Sequence, residues 1–313
     1  MRVSVIIPAY KAAGTICRTI DSVLAQSHPA HEIIVVDDGS PDDQAELIQR
    51  TYGDRVVLIR QPNGRTAKAR NTGIDRATGD AIAFVDADDY WEPQKLQQQT
   101  AILRQFPEVG IVAGAYFSQS PGQERIVAPM AARQRSDCQR VLKVRKMQIV
   151  RIASSIWTGT VAIRRAALGD ERFVSGLEPA EDRDLWIRML RHPAYLMPEP
   201  LATAVLEPGS ISRVNLDVDC ENMLRVIQRQ RELIGPMGVR LWTSEVLYRW
   251  AALDPCPDTA LPRLWRSFLA WPLPYPLYQG GQRLARLKRL VVLLRIRARK
   301  TAGMPKGGNS DEG

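Results

Sequence analysis

Short, wholly apolar runs alternate with amphipathic stretches through the first hundred residues, and that alternation leaves few folds open. Val3 to Pro8, Glu32 to Val36, Val56 to Ile59 and Ala81 to Val85 each read as a buried strand. A strand that is apolar on both sides must be covered on both faces. Between these runs, Ala12 to Gln26 has helical spacing, with Ile16, Ile20, Val23 and Leu24 on one side. Asp42 to Tyr52 is helical as well, and Thr66 to Ala77 follows an Asn63-Gly64 turn. Such repeats imply βαβ units, hence an α/β fold with a mostly parallel sheet and helices on both faces. Sheets of this kind bind ligands beyond the carboxyl ends of their strands.

Three polar or acidic features fall at those ends: Pro8-Ala9-Tyr10, Asp37-Asp38 and Asp86-Ala87-Asp88-Asp89. In the last, three carboxylates arrive within four residues, and they repel one another unless something cationic sits there. Carboxylate oxygens suit Mg²⁺ or Mn²⁺, which takes its other ligands from water and phosphate oxygens. The pattern therefore points to a metal–diphosphate site; the plainer alternative is a solvated acidic turn. The first strand runs into Pro8-Ala9-Tyr10-Lys11, not G-x-G-x-x-G, and G-x-x-x-x-G-K-[ST] is absent, which excludes dinucleotide and P-loop sites. Nor does the glycine-rich loop that a sugar-nucleotide pyrophosphorylase needs follow that strand.

Charge narrows the partners. The formal net charge of the 313 residues is +9, but eight Lys/Arg and no Asp/Glu lie between Gly280 and Lys300, leaving +1 for the other 292 residues. No nucleic-acid groove in the main body is implied. Cys17, Cys138, Cys220 and Cys256 form no C-x-x-C pair, and His28, His31 and His192 form no metal motif, which fits a reducing cytosol. The chain enters its first strand without a signal-peptide pattern, and no apolar stretch reaches about 18 residues, so a cytoplasmic protein without a membrane span is expected.

Four segments in series resemble the motifs of family 2 glycosyltransferases with the GT-A fold: Val5-Ile6-Ile7-Pro8-Ala9-Tyr10, Ile34-Val35-Val36-Asp37-Asp38-Gly39-Ser40, Ala69-Arg70-Asn71-Thr72-Gly73-Ile74 and Val85-Asp86-Ala87-Asp88-Asp89. The likeness covers roughly the first two thirds of the chain and implies a nucleotide-binding, Rossmann-like sheet. It implies that Asp38 accepts the N3–H of a uracil-like base and that Tyr10, beside Pro8 and Ala9, stacks on or flanks the ring. Guanine N–H groups are readable in the same way. Arg70 would face the base or phosphates, Asp86 would lie toward the ribose and metal, Ala87 would belong to the nucleotide site, and Asp88 would ligate the Mg²⁺ or Mn²⁺ that bridges two phosphates. Trp157 and Gly159, ahead of an apolar Val161 to Arg165 strand, resemble the segment that lines the acceptor pocket.

Glu181-Asp182 opens a helix whose Leu185, Trp186, Met189 and Leu190 form its buried stripe. A helix N-terminus favours an anion. The pair resembles the family's E-D motif, which makes Asp182 the candidate base for an acceptor hydroxyl, with inversion in one displacement, and Glu181 a positioning residue. One departure stands out. Where the family often has R-x-H-x-x-S-x-S, this chain has Val205 and Glu207 at the Arg and His positions; Glu207 is either a substitute metal ligand or none.

Further on, Pro93 to Phe106 reads as a helix, Val109 to Tyr116 as a strand, Ser118 to Arg135 as a loop with a short strand, and Asp137 to Ile152 as a helix with a basic solvated face. The organisation expected is a GT-A domain over 1–215, a helical region over 216–300 and a disordered tail over 301–313. Leu216 to Ile234 and Val239 to Leu253 look helical, and Trp265 to Tyr278 is rich in Trp, Tyr and Pro. Residues 280–300 form a basic amphipathic helix with Leu284, Leu287, Val291 and Leu294 on one side. That reads as an element for an anionic membrane surface; the alternative packs the stripe on the protein. The whole suggests an inverting, metal-dependent transferase that moves a sugar from a nucleotide-sugar donor, UDP-linked by preference, to a hydroxyl of a saccharide or lipid-linked saccharide in polysaccharide synthesis at the cytoplasmic membrane face. Rival readings are a nucleotidyltransferase acting on sugar phosphates and an inactive nucleotide-sugar-binding homologue.

Overall fold

Ile- and Val-rich runs become the centre of one large sheet because neither of their faces tolerates water. In the computed structural model, which describes residues 1–120, 122–128, 138–206, 215–273 and 284–302, the chain divides into two units, Met1–Val214 and Asn215–Gly313. The first opens with β1 (Val3–Ala9), α1 (Ile16–Leu24), β2 (Glu32–Asp37), α2 (Gln44–Tyr52), β3 (Val57–Arg60), α3 (Arg65–Arg76) and β4 (Ala81–Phe84). It continues with β5 (Tyr90–Trp91), α4 (Lys95–Gln105), β6 (Ile111–Gly114), β7 (Phe117–Gln119), β8 (Ile126–Val127), β9 (Val141–Leu142) and α5 (Lys146–Ala153). After a 3₁₀ turn at Thr158–Thr160 come β10 (Ala162–Arg164), α6 (Arg165–Leu168), α7 (Glu181–Met189), β11 (Ala194–Met197) and β12 (Ala202–Val205).

Eight strands form the main sheet in the order β3-β2-β1-β4-β10-β6-β11-β9, and β5-β12-β7-β8 form a second. Every residue of β1 is buried, as a strand covered on both faces must be. Helix α1 closes one face by Ile16, Ile20 and Val23, which recur at helical spacing and pack with Val5, Ile7, Val35 and Ala83. Pairing is parallel between β3, β2, β1 and β4, and antiparallel where β10 slots between β4 and β6, so the sheet is mixed at its centre. The parallel half carries the strand ends that matter for a ligand. At one of them Gly39 has φ +71°, and a Cβ there would meet the Asn63 amide nitrogen at 2.8 Å, so only glycine makes this turn.

The structure departs from the sequence pattern at several points. Asp137 to Ile152 is not one helix: Val141 and Leu142 pair antiparallel with Tyr195 and Ala194, and the helix starts only at Lys146. Backbone pairing with β11 outweighs local helical preference there. Helix α1 begins at Ile16, four residues later than its spacing suggests, and Leu24 is exposed. Ser118 to Arg135 contributes two short strands, β7 and β8, to the second sheet, with residues 121 and 129–137 outside the described set.

The second unit is helical: α8 (Leu216–Arg229), α9 (Arg231–Leu253), α10 (Pro257–Ala270) and α11 (Ala285–Ala302). Asn215 caps α8, its side chain accepting from the Asp217 and Val218 amides. Within α9, Gly235 leaves the helix at φ +75° and Pro236 starts it again, which places the break expected between Ile234 and Val239. The Trp-, Tyr- and Pro-rich segment begins inside a helix: Trp265 belongs to α10, whose Pro257 occupies the first turn, where its missing N–H costs nothing. Ala251, Ala260, Leu264 and Leu293 form a small core of this unit. The expected disorder of the last residues lies outside the described residues from 303 on, while Thr301 and Ala302 end α11.

Candidate active site

Parallel register brings the strand-end residues to one rim. Ala9 is level with Asp37, and Ile6 with Phe84, so the residues that follow β2, β1 and β4 leave the sheet side by side. With strands about 4.8 Å apart, β2 and β4, which Asp38 and Asp86 follow, run about 10 Å from each other on either side of β1. Pro8 and Ala9 are the last residues of β1, and Tyr10 beyond them is 47% exposed. The two neighbouring aspartates have separate jobs. Asp37 is fully buried and holds the loop: it accepts from the Ser40 amide (3.0 Å) and Gln44 Nε2 (2.6 Å) and pairs with Arg60. Asp38 Oδ1 accepts from Gln61 Nε2 (2.7 Å) and the Gly64 amide (2.9 Å). Its Oδ2 has no hydrogen-bond partner among the described residues. The β1–α1 loop is tied to the same turn, for the Lys11 amide donates to Ser40 Oγ at 2.8 Å.

The acidic turn after β4 is held from below. Thr19 Oγ1 donates to the carbonyls of Ala87 (2.9 Å) and Asp89 (2.7 Å), and Arg18 Nη2 donates to the Asp88 carbonyl (2.6 Å). These bonds fix the backbone of the turn. Asp89 is buried and accepts from the Val205 amide (2.8 Å), which ties the turn to β12. Its burial, then the charges of Asp86 and Asp88, push its carboxyl well above the usual range. Carboxylates this close together fit a divalent cation. Among the described residues no group of three His, Cys, Asp or Glu could hold one, so the remaining ligands would have to come from phosphate and water. Glu207 lies outside the described residues.

Arg70 joins this turn to the Glu181-Asp182 helix. The arginine is 4% exposed; its Nη2 donates to Asp86 Oδ1 at 2.8 Å and its Nη1 to Glu181 Oε1 at 3.0 Å. Burial works against its charge, but Asp86 and Glu181 outweigh that and keep the guanidinium protonated. The ring of Phe173 lies 5.3 Å from it and Phe84 packs edge-on to Phe173, so the pair sits in a largely apolar surround. Glu181 is buried with Oε2 lacking a partner among the described residues, and burial together with the charge of Asp182 raises its carboxyl to about 7. Asp182 faces the other way: Oδ2 accepts from the Thr158 hydroxyl (3.1 Å) and Oδ1 from the Arg183 amide (2.6 Å). Thr158 opens the 3₁₀ turn whose Gly159 carbonyl accepts from Trp91 Nε1 (2.9 Å). The half-buried Trp157 ring packs against Tyr116 with centroids 4.8 Å apart.

The rim therefore brings together Pro8, Ala9, Tyr10, Asp38, Asp86, Ala87 and Asp88, and Arg70 links it to Glu181 and so to Asp182, Thr158 and Gly159. Arg70 turns inward to two carboxylates, where the sequence suggests a side chain facing base or phosphate. Residues that sequence reasoning passes over are Thr19, Arg18 and Gln61, and Asp89, read as part of the acidic turn, proves to tie that turn to β12. Only Thr19 left a signal, a hydroxyl beside the buried stripe of α1, where an apolar residue is the default.

A chain with this sheet, these acidic strand ends and a buried acid–arginine bridge has the architecture of the nucleotide-sugar transferases of the GT-A class. It belongs to glycosyl transferase family 2, whose model matches residues 4–169. Among curated relatives, an uncharacterized glycosyltransferase of Nostoc is 42% identical over 115 residues, 36% of each chain. The amylovoran biosynthesis glycosyltransferase AmsB of Erwinia amylovora is 41% identical over 123 residues, 37% of this chain and 40% of that one. The aligned stretches thus span about two fifths or less of these relatives. The putative glycosyltransferase EpsE of Bacillus subtilis aligns more fully, at 27% identity over 79% of this chain and 88% of its own. In fold, the chain is similar to S. aureus TarS 1–349 in complex with UDP-GlcNAc (TM-score 0.69, 20% identity, 97% of this chain and 93% of that one). It is also similar to the mannosyltransferase PcManGT of Pyrobaculum calidifontis in complex with GDP-Man and Mn²⁺ (TM-score 0.58, 18% identity, 94% and 87%).

Proposed function

We propose that the first unit transfers a sugar from a nucleotide-sugar donor, UDP-linked, to a hydroxyl of a saccharide or lipid-linked saccharide, with inversion at the anomeric carbon. The observation that carries this reading is the Arg70 bridge between Asp86 and Glu181, because it couples the donor-side turn to the helix that bears Asp182. Asp38 Oδ2 accepts the imide N–H of the base, Oδ1 being held by Gln61 and Gly64. Tyr10 covers the ring from the exposed end of β1. The relatives in complex with UDP-GlcNAc and with GDP-Man and Mn²⁺ support a donor of this chemical class.

Asp88, with Asp86 nearby, would hold a Mg²⁺ or Mn²⁺ ion, which when bound neutralises the charge that grows on the departing diphosphate. Arg70 keeps Asp86 in place and holds Glu181, and through it the first turn of α7, against the rim. Asp182 takes the proton of the acceptor hydroxyl as that oxygen attacks, and the Thr158 hydroxyl orients the carboxylate for the task. A base within reach of the acceptor, on the side away from the leaving group, is what a single in-line displacement needs. Trp157 and Gly159 border the acceptor. The second unit would keep the enzyme at the cytoplasmic membrane face, where lipid-linked acceptors are found; among the described residues no helix is long and apolar enough to cross a membrane.

Asp182→Asn tests the reading. The variant should bind UDP as the parent does, while transfer to a saccharide acceptor falls by about 10²–10⁴. Normal turnover would remove Asp182 from the role of base.

A further inference from the structure

Helix α11 packs by Arg286, Leu290 and Leu293 and turns a second apolar stripe outward. Leu293 is fully buried, Leu290 packs beside it, and Arg286 lies at 3% exposure with its guanidinium over the Phe268 ring of α10. The Arg286 guanidinium donates to the carbonyls of Ser267, Trp271 and Leu273 at the end of α10. At 100° per residue Arg286, Leu290 and Leu293 form one side of the helix. Leu284, Leu287, Val291 and Leu294 form the other, and each is close to half exposed. A stripe of four large aliphatic side chains, continuous over three turns, is more than scattered surface residues account for.

Two further observations say what covers it. Lys288 and Arg295 flank the stripe, both exposed and without an ion pair or hydrogen bond among the described residues, and residues 285–302 contain no acid. Trp265 of α10, 60% exposed, stands beside Phe268 (6.3 Å between ring centroids), the ring that Arg286 of α11 covers. Apolar side chains in a row, free cations alongside and an exposed Trp at the margin match the depth profile of an anionic lipid headgroup layer. A second copy of this chain would have to bury like charges against each other.

We propose that the α11 face of Leu284, Leu287, Val291 and Leu294, with Lys288, Arg295 and Trp265, is the surface by which the protein lies on a membrane of anionic phospholipid, α11 parallel to the bilayer plane. The proposal deepens the membrane-side reading of function and rests on it only for its purpose; the binding itself is independent of any transfer. Embedded this way, α11 inserts its aliphatic side chains to the acyl boundary while Lys288 and Arg295 stay among phosphates.

The test is sedimentation of the full chain with vesicles of phosphatidylcholine containing 30% phosphatidylglycerol, and with phosphatidylcholine alone. Binding is expected to the anionic vesicles only, and to weaken as salt rises from 0.1 to 0.5 M, where the screening length shortens from about 10 Å. Leu287→Gln/Val291→Gln should lower the partition coefficient at least about tenfold, and Lys288→Glu/Arg295→Glu by about as much. Equal binding of parent and variants would overturn the proposal. So would a concentration-dependent dimer, seen by light scattering without lipid, that the Gln variants dissolve. UDP-sugar hydrolysis measured in solution on the same variants separates the two readings. It should stay at the parental rate, so lost sedimentation with intact hydrolysis supports the surface. Absent hydrolysis in the parent with intact sedimentation would fault the catalytic reading alone.

Discussion

Replacing Glu181 with Gln probes the charge state of the buried bridge. One guanidinium faces Asp86 and Glu181, with Asp182 next in line, so the cluster holds more carboxylates than cations. Burial first, then Asp182, raise Glu181 from its ordinary 4.5 to about 7, against the pull of Arg70. The folded state therefore binds this proton more tightly than the unfolded chain does. The contribution of the protonated group is complete below about pH 4.5 and is lost as pH rises toward 7. At about 1.4 kcal/mol per pH unit, ionising Glu181 in the folded protein costs on the order of 3 kcal/mol. Gln is a neutral isostere and does not incur that cost. Urea unfolding of parent and Glu181→Gln between pH 4 and 8.5 should thus give curves that coincide near pH 4 and diverge as pH rises. Above pH 7 the variant should be the more stable by about 3 kcal/mol. If Glu181 were instead an ionised partner that Arg70 depends on, removing it would destabilise the protein by about 3–5 kcal/mol at pH 8. A variant less stable than its parent at that pH refutes the reasoning.

Arg70→Met should do the reverse, because it leaves Asp86 and Glu181 without a cation in an apolar surround. A loss of about 3–5 kcal/mol is expected at pH 8, and a smaller one at pH 5, in the same urea experiment; parental stability would mean that the bridge is not formed. Gly159→Ala places a Cβ 2.5 Å from the Trp157 ring, so the ring must leave its place against Tyr116. The expected cost is about 1–3 kcal/mol with a changed Trp fluorescence spectrum, and an unchanged melting temperature would show that Trp157 is loosely held.

What the sequence made legible followed from burial on two faces. Val3–Pro8 and Glu32–Val36 could hardly be anything but interior strands, and once they were parallel, Tyr10, Asp38 and Asp86 had to share a rim. Contacts across long separations were another matter. Glu181 is 111 residues from Arg70, and no local pattern announces that an arginine on α3 will be consumed by it. The strand at Val141–Leu142 was read as helix because two residues carry little periodicity and its partner, β11, lies some fifty residues on. For α11 the helical wheel found both faces and could not say which one packs. The choice was made by the carbonyls at the end of α10, which accept from Arg286, and by the small core that takes Leu293, so Leu284, Leu287, Val291 and Leu294 stayed out.

The most direct measurement is calorimetric titration of UDP into the full chain with and without Mn²⁺, on the parent, Asp38→Ala and Asp88→Asn. Binding to the parent is expected to be tighter with the cation than without it. Asp38→Ala should lose affinity whether or not the cation is present, because the base loses its acceptor, and Asp88→Asn should lose the Mn²⁺ dependence together with the affinity it brings. UDP that binds all three proteins alike, or binds none of them in either condition, would mean that the carboxylates at this sheet edge do not hold a nucleotide diphosphate.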